Sequence, residues 1–187
     1  MSGIDFRQLL SPHCDERPPQ CAVELVVVHA ISLPPGAFGG PYVDQLFTGS
    51  LNPDEHPFFA EIAPLRVAAH FLVNRAGLVT QYVAVSRRAW HAGVSQWRGR
   101  QRCNDFSVGV ELEGDERTPF APIQYVRLAQ LFRTLQTGLP QLRDDGLAGH
   151  EHIAPGRKWD PGPMFDWTRL QQALSCAETR NDWPILW

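Results

Sequence analysis

A continuous apolar run, LVVVH at residues 25–29, constrains the fold of this chain more than any other segment. β-Branched residues without polar alternation are typical of a strand that is buried on both faces. Such a strand needs a covering layer on each side, and helices usually supply it. The run therefore predicts a central sheet, and it ends at His29, where a proline- and glycine-rich loop begins.

Further strands and helices are predicted around this run. Residues 67–74 and 78–85 flank a glycine-containing turn and predict a β-hairpin. Apolar residues recur at helical spacing over 122–139 and again over 166–177. Asp166 is the predicted N-cap of the second of these helices, because its carboxylate can accept a hydrogen bond from the first turn.

Strands and helices interleave along the chain, so we expect an α/β (α+β) fold with a central mixed β-sheet flanked by α-helices. The 187 residues are enough for one full hydrophobic core. We expect a single domain over 1–187, with its core at about 10–175 and a C-terminal tail, 178–187, packing on the body. A short helix is expected at 42–47, and 52–64 are expected to be irregular.

Composition argues against several classes of protein. The net charge of −3 and the pI near 6.1 are not those of a general nucleic-acid or anionic-membrane binder. No apolar run approaches the roughly 20 residues of a membrane-spanning helix. Met1–Arg7 has no basic region followed by an apolar one, so we expect no secretory signal. Four scattered cysteines are expected to be reduced.

A further strand is predicted over 107–114, where apolar and polar residues alternate strictly. Glu111 and Glu113 share the polar face of this strand. Alternation does not choose between the two carboxylates, and a solvated strand face is the simplest interpretation of both.

The segment GHEHIAPGRKWDPGP at residues 149–163 has the strongest chemical character in the chain. Three prolines stiffen it, and it holds two histidines together with Lys158, the only lysine in the sequence. A lysine ammonium is a compact point charge on a flexible stem, and arginine does not replace it where a mobile ammonium is needed. We therefore expect this segment to carry chemistry.

A metal site is predicted from His29, His150 and Asp160. Catalytic zinc usually takes three protein ligands and leaves a fourth position for water, whose pKa falls to about 7. His152 competes with His150 as a ligand, because the two would share a face in an extended chain. His70 is expected to be a buried, hydrogen-bonded histidine of the hairpin strand.

Five motifs in unbroken order closely resemble the type 2 N-acetylmuramoyl-L-alanine amidases. The resemblance covers about residues 10–175 and implies a zinc amidase with a central sheet flanked by helices. Bacteriophage lysozyme-type amidases and peptidoglycan recognition proteins are related to that family. The motifs are VHAISLPPG (28–36), AWHAGVS (89–95), RCNDFS (102–107), GVELEG (109–114) and GHEHIAPGRKWDPG (149–162).

The resemblance implies a role for each matching residue. His29, His150 and Asp160 match the zinc ligands of the family. Glu111 matches its general base, which activates water and then returns the proton to the leaving amine. Lys158 matches the lysine beside the metal, which stabilises the developing oxyanion.

Substrate contacts are expected from four further residues. Trp90 offers an aromatic face to the sugar or the peptide, and His91 is expected to contact either the substrate or a metal ligand. Arg66 and Arg102 are expected to pair with peptide carboxylates, since bidentate recognition suits arginine. The chain departs from the family at Ala30, where an asparagine that resembles a substrate contact is usual.

The implied function is hydrolysis of the amide between the lactyl group of (1,6-anhydro)-N-acetylmuramic acid and L-alanine. The expected enzyme is a cytoplasmic monomer of cell-wall recycling with one Zn²⁺ per chain, acting on an anhydromuropeptide and binding neither nucleic acid nor membrane. Two alternatives remain open. One is a non-catalytic muropeptide-binding protein of the same fold, and the other is an amidase that acts on intact peptidoglycan.

Overall fold

The computed structural model describes residues 5–187. Residues 1–4, which belong to the segment where no signal is expected, lie outside the described residues. The strands of the described part are β1 Phe6–Gln8, β2 Cys14–Glu16, β3 Leu25–Ile31, β4 Phe71–Val73, β5 Val79–Gln81, β6 Arg87–Ala89, β7 Gln96–Trp97, β8 Arg100–Gln101, β9 Ser107–Glu113 and β10 Leu147–Gly149. The α-helices are α1 Tyr42–Thr48, α2 Pro57–Ile62, α3 Pro122–Gly138, α4 His150–Ile153 and α5 Trp167–Cys176.

Six of the strands form one mixed sheet in the order β1-β5-β4-β9-β3-β10. Strands β4 and β5 are antiparallel, and every other neighbouring pair in this sheet is parallel. Two small antiparallel ribbons, β2 with β6 and β7 with β8, lie outside it. The predicted α/β architecture with a central mixed sheet is confirmed.

The LVVVH run forms most of β3, which lies between β9 and β10, and it is buried on both faces, as predicted. Val26 and Val28 belong to the main core with α3 and α5. Leu25 and Val27 belong to a smaller cluster on the opposite face, where Phe106 also packs. All of these side chains are fully buried. Burial of each contributes about 1.5–3 kcal/mol relative to leaving it in water.

Both long helices and the hairpin are confirmed. Helix α3 lies within the predicted range 122–139, and in α5 the Asp166 carboxylate accepts a hydrogen bond from Arg169 N at 2.9 Å. The hairpin strands β4 and β5 are shorter than expected. Gly77 in their turn has a φ of +85°, a conformation that glycine adopts without steric cost.

The expectation of an irregular segment at 52–64 is wrong. The segment contains a 3₁₀ turn, Pro53–Glu55, and helix α2. Each begins with proline, whose fixed φ suits the first helical position. The side chains of Asn52 and His56 cap the two starts by accepting from Asp54 N and Phe58 N. Short capped turns of this kind carry too little apolar periodicity to be seen in the sequence.

The C-terminal segment runs over the core. Trp183 is 5% exposed and belongs to the main cluster, and Leu186 N donates to Gln81 Oε1 at 2.9 Å. The four cysteines are all unpaired. None of the helices formed by residues 5–187 combines the length and the apolar character needed to cross a lipid bilayer.

His70 connects β4 to β9 at the residue before β4. It is fully buried and hydrogen-bonded, as expected, because its Nδ1 accepts from Gly109 N and its Nε2 donates to Arg87 O, both at 3.0 Å. Burial lowers the pKa of His70 to about 3, and the nearby charges of Arg17 and His29 act in the same direction.

His70 should therefore make the folded state sensitive to acid. An unfolded histidine has a pKa near 6.5, so between pH 6.5 and about 3 the unfolded chain binds a proton that the folded chain does not. As the pH is lowered through this range, the free energy of unfolding should decrease more steeply in the unmodified chain than in His70→Gln. The two slopes should differ by about 1.4 kcal/mol per pH unit. Urea unfolding at several pH values measures this. Above pH 7.5 the difference between the two proteins should stay constant, and equal slopes below pH 6.5 would contradict the assignment.

Candidate active site

The site lies where parallel strands of the central sheet end. His29 in β3 is directly opposite Glu111 in β9, so both side chains project from the same face. Strand β10 pairs with β3 on its other side, with Gly149 opposite Val28, and His150 follows at once. Because the carboxyl ends of parallel strands meet at one edge of a sheet, this register brings the three side chains to one place.

The structure brings His29, His150 and Asp160 together at this edge. The Nδ1 atoms of the two histidines are 2.9 Å apart, and Asp160 Oδ2 is 3.2 Å from the first and 3.0 Å from the second. All three residues are buried, with 2%, 3% and 7% of their surface exposed. Among residues 5–187 they form the one group of this kind that could hold a metal ion.

Backbone contacts fold residues 154–160 back onto α4. Asp160 O accepts from Glu151 N at 2.8 Å, and Ala154 O accepts from Lys158 N at 3.0 Å. The Arg157 guanidinium donates to Val94 O at 2.7 Å, which ties the segment to the neighbouring loop. These contacts place the Asp160 carboxylate beside a histidine ten residues earlier in the chain.

The donor chemistry of the cluster fits a divalent cation. His150 Nε2 lies 3.1 Å from Ala92 O, and a carbonyl oxygen only accepts, so this nitrogen carries the proton. The lone pair of His150 Nδ1 therefore points at the cluster, where the Asp160 carboxylate supplies further lone pairs. Two imidazole nitrogens and one carboxylate oxygen match the ligand set of catalytic zinc sites.

The pKa values of Asp160 and His29 are strongly shifted within the cluster. Burial raises the pKa of the Asp160 carboxyl, but the adjacent His150 and His29 rings outweigh this effect and hold the pKa well below its usual value. Burial lowers the pKa of His29 to about 4, although Asp160 opposes that change. The cluster therefore presents an ionised carboxylate and a neutral His29 at neutral pH, which are the protonation states that a metal ligand requires.

Glu111 lies in the same cavity, of about 270 Å³, as the three candidate ligands. Its Oε2 atom is buried and has no hydrogen-bond partner among residues 5–187. Burial raises the pKa of Glu111 well above its usual value, the Asp160 charge adds to this, and the Lys158 charge opposes it. A carboxylate oxygen that is buried without a partner is costly, so this group is a functional candidate on physical grounds.

Glu113 has a different environment, although it shares a strand face with Glu111. It is 6% exposed, and its carboxylate accepts hydrogen bonds from Gly39 N and, at 3.0 Å, from Arg75 N. The simple interpretation of a solvated face is therefore wrong for Glu113, whereas Glu111 is half-buried with one oxygen shielded from solvent. Glu113 holds two loops in place, and Glu111 is the carboxylate that faces the cavity.

Lys158 lines this cavity from the exposed side. Its ammonium forms no ion pair with any carboxylate in the described part of the chain. The Lys158 charge acts on Glu111 and on His29 through space. A free ammonium beside the ligand cluster is placed to meet negative charge on a bound molecule.

His152 does not join the cluster, which removes the competing interpretation. Residues 150–153 form helix α4 rather than an extended segment, so side chains two residues apart point in different directions. The His152 Nδ1 atom accepts from Gly149 N at 2.9 Å, and its ring packs against Trp167 at 5.3 Å.

The predicted substrate contacts divide into two groups. Trp90 and His91 line the cavity that holds the candidate ligands. Arg66 is exposed and outside that lining, and Arg102 is likewise outside it and forms an ion pair with Asp105 at 3.2 Å.

Trp159 was missed by the sequence analysis. Its side chain is 45% exposed and lines both the ligand cavity and an adjoining cavity of about 550 Å³ that Arg117 also lines. Gly162 makes room for the indole, because a Cβ there would lie 2.9 Å from its Cε3 atom. The position of Trp159 between Lys158 and Asp160 was the available signal.

Asp160→Ala should abolish stoichiometric binding of a divalent cation, because it removes the only charged ligand and leaves two neutral imidazoles. His152→Ala is the matched control, since it removes a nearby histidine that faces away from the cluster. Isothermal titration with Zn²⁺ measures both variants beside the unmodified chain. Equal loss in the two variants, or no loss in Asp160→Ala, would contradict the assigned site.

Proteins similar to this chain are amidases. The 1,6-anhydro-N-acetylmuramyl-L-alanine amidase AmpD of Salmonella typhimurium SL1344 is 55% identical over 95% of this chain and 95% of its own length. AmpD of Escherichia coli K12 is 54% identical over 94% of this chain and 96% of its own length. A crystal structure of an AmpD selenomethionine derivative has a TM-score of 0.88 at 51% identity, covering 91% of this chain and 94% of that one.

A more distant structure shares the fold. A mutant endolysin from Bacillus subtilis is 16% identical, with a TM-score of 0.57 over 91% of this chain and 99% of that one. This likeness and the AmpD structure confirm the expected fold of type 2 amidases. Residues 19–163 match the N-acetylmuramoyl-L-alanine amidase family, in agreement with the motifs seen in the sequence. The chain therefore belongs to the N-acetylmuramoyl-L-alanine amidase family.

Proposed function

We propose that this chain is a zinc-dependent amidase that hydrolyses the amide between the lactyl group of 1,6-anhydro-N-acetylmuramic acid and L-alanine. The observation that carries the proposal is the convergence of His29, His150 and Asp160 in one cavity with Glu111. The relatives named 1,6-anhydro-N-acetylmuramyl-L-alanine amidase support the substrate, because they match nearly the whole chain.

His29 Nδ1, His150 Nδ1 and Asp160 Oδ2 would hold one Zn²⁺ per chain. When bound, zinc supplies a Lewis acid that polarises the amide carbonyl and makes water a stronger acid. Two neutral imidazoles and one carboxylate leave a net charge of +1 on this centre, so it remains electrophilic. Burial of the ligands keeps competing solvent away from that charge.

Glu111 is the proposed proton carrier. Its carboxylate accepts a proton from the attacking water and returns it to the nitrogen of the leaving L-alanine, so that the amide becomes a carboxylic acid and an amine. The raised pKa of Glu111 suits a group that must both take up and release a proton near neutral pH. Oε2 has no hydrogen-bond partner among residues 5–187, so its lone pairs remain free for the water of the reaction.

Lys158 is proposed to stabilise the negative charge that develops on the carbonyl oxygen. Its ammonium faces the same cavity and, within residues 5–187, forms no ion pair that would have to break first. Removal of one such donor typically lowers kcat by about 10²–10³-fold. Arginine cannot replace it as a compact charge, which fits the presence of one lysine in a chain of 17 basic residues.

Substrate recognition is proposed to use the aromatic walls of the two adjoining cavities. Trp90 and Trp159 offer flat apolar faces to the sugar or the peptide stem. Arg66 and Arg102 remain candidates for the far carboxylates of the peptide, since both lie outside the ligand cavity. Ala30 lines both cavities, and its small side chain supplies the apolar wall where the family usually has asparagine.

The proposed setting is the cytoplasm, where a monomer would act in recycling of released muropeptides. Four unpaired cysteines fit a reducing compartment. The AmpD relatives are named for the anhydro sugar, which is consistent with a released fragment as the substrate rather than the intact wall.

The zinc-loaded chain should release peptide from anhydromuramoyl-tripeptide, and a chelator should stop this release until zinc is restored. Glu111→Gln should lose turnover by at least about 10²-fold, because it cannot carry the proton, yet retain stoichiometric zinc. Mass spectrometry of the products measures peptide release before and after chelation and in the variant, with intact sacculi assayed beside the tripeptide. Full activity after chelation would refute the zinc proposal. Binding without cleavage would identify a muropeptide-binding protein, and release from sacculi alone would identify a wall amidase.

Trp159→Ala should raise KM for anhydromuramoyl-tripeptide about fivefold to tenfold and leave kcat nearly unchanged, because it removes about 1 kcal/mol of apolar contact that does not change during the reaction. Trp159→Phe should recover most of the affinity, since it keeps an aromatic face. Steady-state kinetics of both variants test this. A fall in kcat at constant KM would place Trp159 in the chemical step instead.

A further inference from the structure

A chain of hydrogen bonds leads from His29 away from the candidate metal position. His29 Nε2 lies 2.9 Å from His91 Nδ1, on the side of the ring opposite to Asp160. His91 Nε2 lies 3.3 Å from Ser107 Oγ, and Ser107 Oγ lies 2.6 Å from Cys103 O. The chain therefore ends on a backbone carbonyl.

That carbonyl fixes the direction of every bond in the chain. Cys103 O can only accept, so the single hydroxyl proton of Ser107 points at it, and Ser107 Oγ accepts from His91 Nε2. A neutral imidazole carries one proton, so His91 Nδ1 is an acceptor, and His29 Nε2 donates a hydrogen bond to it. His29 Nδ1 is then left with its lone pair toward His150 and Asp160.

The opposite tautomer of His29 would break this chain. With a proton on Nδ1, His29 Nε2 would become an acceptor. His91 would then have to carry its own proton on Nδ1, which makes His91 Nε2 an acceptor as well. Ser107 would then face two acceptors, His91 Nε2 and Cys103 O, with one hydroxyl proton. One of these two acceptors would lose the Ser107 hydroxyl. Cys103 O would still accept from Phe106 N at 3.2 Å, so the cost is that of one hydrogen bond, about 0.5–1.5 kcal/mol.

We propose that His91 and Ser107 are positioning residues that keep the His29 proton on Nε2 and so present Nδ1 to the metal. The proposal rests on the proposed function, because it assigns a task to side chains behind the same metal site. It also chooses between the two contacts expected for His91, because it assigns the imidazole to a metal ligand rather than to the substrate.

The surroundings of His91 are shaped for this contact. A Cβ at Gly109 would lie 2.5 Å from His91 Cγ, so the ring can approach β9 only because that residue is glycine. Asn104 Oδ1 accepts from His91 N at 3.2 Å and from Ala92 N at 2.8 Å, which fixes the backbone of both residues. Ala92 O in turn accepts from His150 Nε2. One short segment therefore supports both candidate imidazole ligands.

His70 does not compete for these bonds. Its ring centroid lies 5.8 Å from that of His91 in an edge-on arrangement. Both of its nitrogens are already engaged, Nδ1 by Gly109 N and Nε2 by Arg87 O.

The test compares Ser107→Ala with Ser107→Thr in the full chain. Long-range ¹H–¹⁵N spectra of the metal-free protein report which nitrogen of His29 carries the proton, and competition with a chelator gives the Kd for Zn²⁺. We expect the Nε2–H tautomer in the unmodified chain, a mixture of tautomers in Ser107→Ala, and a Kd about 10-fold weaker, within the 10–100-fold typical of such outer partners. Ser107→Thr keeps the hydroxyl and should recover both values.

Ser95→Ala is the matched control. Ser95 is also a buried serine beside Cys103, and its hydroxyl donates to Gly93 O and accepts from Cys103 N without touching His91. It should leave the His29 tautomer and the Kd for Zn²⁺ unchanged.

Two results would overturn the proposal. One is an Nδ1–H tautomer of His29 in the unmodified chain, which needs no variant to fold. The other is a Ser107→Ala protein with unchanged tautomer and Kd. A chain that shows the Nε2–H tautomer but binds no zinc would instead refute the proposed function and leave the hydrogen-bond assignment standing.

Discussion

The convergence of three lone-pair donors on one point is the constraint on which the rest of the site depends. His29, His150 and Asp160 bring their ligand atoms within 3.2 Å of one another in a buried position. Atoms of this kind repel unless a proton or a cation lies between them. The register of the sheet and the backbone contacts of residues 154–160 hold these atoms in place. Binding of a cation and stability of this region are therefore linked.

Much of the fold could be predicted because it is written in local patterns. The apolar run 25–29 and the alternation over 107–114 gave β3 and β9, and helical periodicity gave α3 and α5. The prediction for 52–64 was wrong because its short helices are determined by proline and side-chain caps rather than by apolar repeats. Long-range pairing of β10 with β3 had no local signal, and it is this pairing that places His150.

The site itself was only partly contained in the sequence. Family motifs pointed to Glu111, and the physical distinction between Glu111 and Glu113 came from two loops that contact Glu113 in the folded chain. His152 was a reasonable competitor until α4 turned it away from the cluster. Trp159 became visible as a cavity wall once its exposure was known, since an indole in a motif is as often core as surface.

The shared support of the two imidazoles has a consequence for ion choice. His91 contacts His29, and Ala92 O accepts from His150. Because His91 and Ala92 are consecutive and Asn104 bonds to both, reorienting one of the two ligand rings would disturb the support of the other. A centre that cannot adjust its spacing discriminates by size and coordination number. Calcium, which takes six to eight oxygen ligands in flexible arrangements, is poorly served by such a rigid nitrogen pair. Selectivity would then reside in the stiffness of the scaffold as much as in the identity of the donors.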